Sequence, residues 1–293
     1  MKSFKFPALV SALLFVSATS VYASGEGDAE RFRQIYEKEW EFRTGEFPSL
    51  ASYSGLEGYD DRLGRVSEQD QQRRYAFWKG IRSELEEISC QRLDREDCIN
   101  YRIFTRQMND FIADYETRSY LVPFNSDWGF YMGWIRMPSE TNFTKIDDYR
   151  NYLSKLHQIP LVMDEYIALM RKGLELGITQ PQVILEGRDV PIRAQLVDSA
   201  QDSPFWAPFA DMPETVAAGE KSELLSTAEK VIAEDVIPAF ERYYRFFNDE
   251  YKAGARTSLG ASELPDGELF YSAQIQKYAT LEMTPQEIHQ LGL

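Results

Sequence analysis

Apolar residues recur at intervals of three and four along nearly the whole chain after Gly27, the spacing of one face of a helix. Phe32, Ile35, Tyr36 and Trp40 form the first such stripe. Ser67, followed three residues later by Asp70, has the form of a capping box. It opens a second helix whose inner face is Trp78, Ile81, Leu85 and Ile88, ending near Cys90. Phe104, Met108, Phe111 and Tyr115 predict a third helix running back from Cys98, so that the two form a hairpin. Between Tyr120 and Asn142 the period fails. Pro123, Gly129, Gly133 and Pro138 interrupt a segment crowded with Phe124, Trp128, Phe130, Tyr131 and Trp134, which predicts an irregular aromatic loop.

Helical spacing then resumes. Thr144 with Asp147 opens a helix through Tyr149, Tyr152, Leu153 and Leu156. Pro160 is expected to start the next one, where its missing N–H costs little. Gly177 should end that helix in the left-handed conformation, with Ile178 as its apolar lock. Pro181 begins another segment, interrupted at Pro191. From about Ser222 to Tyr251 a long stripe runs through Leu225, Ile232, Val236, Phe240, Tyr243, Tyr244 and Phe247, with a kink expected at Pro238. Pro265-Asp266-Gly267 reads as a turn before a short helix through Tyr271 and Tyr278, and Thr284, Pro285 and Glu287 start a final helix. The expected fold class is all-α: a multi-helix array with a long kinked helix and one irregular aromatic loop.

The first residues follow another pattern. Lys2 and Lys5 precede an apolar run from Pro7 to Val21, and Val21-Tyr22-Ala23 places small residues where a signal peptidase reads them. The run is shorter than the ~20 residues a membrane span needs. Residues 1–23 are therefore read as a signal peptide and 24–293 as one helical domain, exported to the periplasm or beyond. Removing residues 1–23 takes two lysines and no acid from a net charge of −15, leaving −17. A chain this acidic excludes nucleic acid and anionic membrane as partners.

Candidate chemistry is sparse. Cys90 and Cys98 are the only cysteines. In an exported protein they can form a disulfide, worth about 2.6 kcal/mol in the chain-entropy model, or remain two buried thiols. The two histidines, His157 and His289, do not have the HExxH spacing that sets two imidazoles and a general base on one helix face around zinc. His157 is placed near a helix end, where an imidazolium interacts with the last carbonyls. Adjacent acids such as Glu86-Glu87, Asp147-Asp148, Glu234-Asp235 and Asp249-Glu250 diverge by about 100° on a helix and read as solvated faces or caps. Trp128, Tyr131 and Trp134 are the candidate ligand contacts, since irregular aromatic loops line clefts; the alternative is a loop that plugs the core.

Three stretches carry a resemblance. Phe47-Pro48 with Tyr59-Asp60-Asp61-Arg62-Leu63 is the first, and the run from Asp147-Asp148-Tyr149 through Ile159-Pro160 to Gly177-Ile178-Thr179-Gln180-Pro181 is the second. The third joins Pro265-Asp266-Gly267 and Tyr271 to Thr284-Pro285-Gln286-Glu287-Ile288-His289 and Leu291-Gly292-Leu293. Together they resemble the bacterial family catalogued as Domain of Unknown Function 885. The resemblance implies a protein about twice this length that looks like a helical zinc metallopeptidase of the gluzincin type, with its metal helix downstream of the Thr284–His289 segment. No position here matches that metal motif, so the resemblance carries no catalytic residue and no metal ligand onto this sequence. It implies the N-terminal half of such a protein, inactive alone, with zinc and a peptide substrate belonging to the complete molecule. The alternative is a stand-alone exported binding module, with an aromatic-lined carbohydrate-active protein behind it.

Overall fold

The computed structural model describes residues 19–214 and 216–293, with side chains from Gly27 onward apart from Thr215. The expected leader falls largely outside the described residues. Helix α1 (Thr19–Glu46) packs on the hairpin of α3 (Glu68–Glu86) and α4 (Arg95–Glu116), and the short α2 (Pro48–Tyr53) packs on α1. The capping box opens α3 as expected, with Asp70 N–H donating to Ser67 Oγ and Ser67 N–H donating to the Asp70 carboxylate. Asp94 caps α4, accepting from the Asp97 N–H at 2.8 Å. Phe32 and Ile35, the α3 stripe Trp78, Ile81 and Leu85 with Ile88 just beyond its end, and Met108 of α4 close a first core. At the turn end of the hairpin Cys90 and Cys98 are joined through their sulfurs, with Cα atoms 4.9 Å apart.

A second, larger core lies around α5 (Tyr131–Glu140) and α6 (Ile146–Leu176). Helix α5 corrects the expectation of an irregular segment throughout Tyr120–Asn142. Tyr131, Trp134 and Met137 share a helical stripe and are all buried, and Pro138 comes so late that little of the helix depends on its missing donor. Helix α6 corrects the break expected at Pro160. Tyr152, Leu156, Ile159 and Met163 are buried on one continuous face across the proline. Burying such side chains is worth ~1.5–3 kcal/mol each, which together exceeds the ~3 kcal/mol cost of an internal proline. The start of α6 also moves on by one residue: Asp148, not Asp147, accepts from the N–H groups of Thr144 and Lys145 at 2.8 and 2.9 Å. Its end is as expected. Gly177 has φ +71°, with Gly177 N–H bonded to Leu174 O and Ile178 N–H to Gly173 O, a Schellman closure.

Two single-turn helices, α7 (Val190–Arg193) and α8 (Ala207–Ala210), lead to a long helical run. It comprises α9 (Ala218–Val231), a π-helical turn at Ile232–Val236, α10 (Ile237–Arg245), a second π turn at Phe246–Tyr251 and α11 (Lys252–Gly254). The proline disturbance expected at Pro238 thus takes the form of a widened turn just before it, which absorbs the missing backbone donor. Helix α12 (Gly267–Ala279) packs on α4, and α13 (Pro285–Leu291) closes the chain. Among the described residues there is no strand, only an isolated bridge between Phe124 and Gly129. No described helix is long and apolar enough to cross a membrane.

Candidate functional site

Leu121, Leu169 and Ile178 form a small third cluster, and the two larger cores do not merge. Along their seam runs a cavity of about 680 Å³, floored by α3 and α4 and roofed by the Pro123–Trp128 loop and α12. The floor is aromatic: Trp78 lies 4.5 Å from Phe111, and Tyr115 is stacked between Tyr75 at 4.2 Å and Tyr120 at 5.4 Å. Arg74, almost fully buried, sits over the Phe47 ring and is neutralised by Glu46 at 2.8 Å. On the roof, Arg256 is held by the carbonyls of Thr179, Ser258 and Gly260. Lys277 pairs with Asp114 at 2.7 Å, and Arg106 donates to the last carbonyls of α12. Arg74, Asp114 and Lys277 are thus paired with opposite charges, whereas Arg256 is bonded only to neutral oxygens. Gln71, Asn125, Gln180 and Gln274 remain as neutral donors and acceptors among apolar rings.

Burial shapes the titration of nearby groups. It raises Asp110 above the usual carboxylate range against the opposing charges of Arg106 and Lys277, and it raises the Tyr120 phenol. Glu39 lies fully buried beneath Trp78, whose Nε1–H donates to it at 3.2 Å. Desolvation raises its pKa, and neither Arg43 nor that hydrogen bond fully offsets it.

The three sequence candidates separate. Trp128 is 48% exposed, because Asn125 Oδ1 accepts from the N–H groups of Asp127 and Trp128 at 2.8 Å and turns the chain outward. It lines both the seam cavity and a neighbouring one. Gly129 is obligatory behind it, since a Cβ there would stand 2.7 Å from the Tyr131 ring. Tyr131, 6% exposed, packs its ring on Tyr243 and lines neither cavity. Trp134, 9% exposed, packs on Phe130 and Tyr166 and reaches only the neighbouring cavity. Sequence reasoning missed Phe270, Gln274 and Lys277 on α12 and the Tyr115–Tyr120 stack, because only tertiary packing brings α12 over α4.

Zinc, which the family resemblance implies, does not fit the described residues. His157 lies within α6 rather than at a helix end, because the helix continues through Pro160, and its Nδ1 is 2.6 Å from Asp235. His289 is exposed on α13, and no group of three or more His, Cys, Asp or Glu among the described residues could hold a metal ion.

The family profile described as bacterial protein of unknown function (DUF885) matches residues 48–293. This chain belongs to that family. No curated protein matches it. Among solved structures it is similar to one described as the putative lipoprotein from Colwellia psychrerythraea, with a TM-score of 0.73 and 18% sequence identity. The match covers 92% of this chain and 48% of that one, so this DUF885 chain spans about half the length of the relative. At that identity the likeness shows the helical fold.

Proposed function

We propose that this DUF885 protein is exported and that its seam cavity holds a peptide segment. In this reading it forms the substrate-binding wall of a zinc peptide hydrolase whose metal ligands and general base come from sequence outside these 293 residues. The observation that carries the reading is the lining of the cavity: aromatic rings with Gln71, Gln180 and Gln274 between them, Arg74 and Lys277 paired with carboxylates, and Arg256 tied to backbone carbonyls. Such a surface suits apolar side chains joined by neutral amides. The coverage of about half of the solved relative is consistent with a two-part molecule. Export is supported by the basic-then-apolar start, by the Cys90–Cys98 pair and by the description of that relative as a lipoprotein.

The test is calorimetric titration with an apolar peptide blocked at both ends. Saturable binding that weakens severalfold in Phe270→Ala is expected, and no binding would overturn the reading. The binding-module alternative is favoured by the fact that each core closes within this chain. Joining the downstream sequence decides between them, because the wall of a hydrolase gains peptide cleavage and a binding module does not.

A further inference from the structure

The neighbouring cavity, about 640 Å³, lies between α2, α5 and α6 and has a different chemistry. Most charges on its wall are already satisfied: Arg65 by Glu165, Arg136 by Glu140 at 2.9 Å, and Asp148 by its cap bonds. Asp60 on the wall makes no side-chain hydrogen bond or ion pair among the described residues, and Lys155 is the other exception. It stands on the inner face of α6, one turn from the buried Tyr152 and Ile159, and among the described residues it makes no hydrogen bond and no ion pair. Burial lowers its pKa, and Asp60 and Asp61, too far away to pair with it, oppose that shift only through space. Nearby, Ser52 Oγ is buried without a partner, and the Asn142 and Asn151 amides make no side-chain hydrogen bond among the described residues. A cation with three idle polar groups therefore faces a space walled by Trp128, Trp134 and Tyr166.

We propose that this cavity is a binding site for an organic carboxylate with an aromatic or apolar body, the carboxylate meeting Lys155 and the body lying against the tryptophans. A carboxylate accepts from an ammonium, a hydroxyl and amides together, and a charge-assisted bond in a partly desolvated site is stronger than one in water. The inference is independent of the peptide reading of the seam.

The experiment titrates the purified protein with N-acetylphenylalanine and with its amide. The acid is expected to bind saturably and about tenfold or more tighter than the amide, the loss that follows from removing a charge-assisted bond. Lys155→Met should abolish that preference, whereas Lys155→Arg and Phe270→Ala should keep it. Equal binding of acid and amide, no binding of either, or a preference that survives in Lys155→Met would overturn the proposal. If Lys155→Met fails to fold, the acid-against-amide comparison on the unaltered protein still decides. A phenylalanine-ended pentapeptide with a free carboxylate separates the two sources: equal affinity assigns the site to a peptide end, and a much weaker affinity to a free acid.

Discussion

At the scale of single residues, neighbouring aromatics in one segment have opposite duties. Trp128 is turned outward by the Asn125 turn, whereas Trp134 is wedged against Phe130 and Tyr166. Trp134→Ala is expected to cost ~3–5 kcal/mol, as for a buried tryptophan, and Trp128→Ala no more than ~0.5 kcal/mol. Denaturant titration checks both, and comparable losses would contradict the assignment of Trp128 to the cavity mouth. Glu39 gives a pH signature. Its folded pKa is raised above the ordinary 4.5, so the folded protein holds that proton more tightly than the unfolded chain. Its burden on stability is present above the folded value and fades as pH falls towards 4.5. Asp70 and Asp148 behave oppositely: their depressed pKa values give a contribution that is lost as pH falls below the ordinary 3.8. Melting temperatures at pH 7 and pH 5 should show the native protein gaining relative to Glu39→Gln as pH falls, and a constant difference would refute the assignment.

At the scale of elements, helix ends were more legible than helix interiors. The Ser67 box, the Gly177 closure and the Thr284 box involve residues within a few positions of one another, so their chemistry is written locally. Pro160 and Pro238 are internal, and their outcome depends on how much apolar surface lies on both sides, which only packing reveals. Lys155 could have been flagged from sequence, since a cation sits on the stripe Tyr152, Leu156, Ile159. Helix α13 shows the limit of local encoding. Its box is fully formed, with Glu287 accepting from Thr284 N–H at 2.8 Å, yet none of its residues is buried and Leu291 is 77% exposed. A short helix without tertiary contact is marginal. Hydrogen exchange should therefore find amides from Glu287 to Leu291 near the unprotected rate, with those from Val231 to Phe247 strongly protected. Equal protection of the two would show that α13 is anchored.

At the scale of the whole molecule, two closed cores leave apolar surface open along the C-terminal elements, where Leu269, Tyr278, Leu281 and Leu291 are exposed. Contiguous apolar surface drives association. The purified protein is expected to bind a hydrophobic dye strongly and to form oligomers in sizing experiments, and a dye-silent monomer would argue that these residues are merely scattered. The sequence by itself determined the helical class, the caps and the hairpin face, because apolar period and end chemistry act over a few residues. It also carried the family, through short runs such as Thr284–His289. It could not place the seam, the split of Trp128 from Tyr131 and Trp134, or the isolation of Lys155. Those depend on which helix faces meet across long stretches of chain, as α12 meets α4 and α10 meets α6, and burial across such distances is decided only when the helices pack.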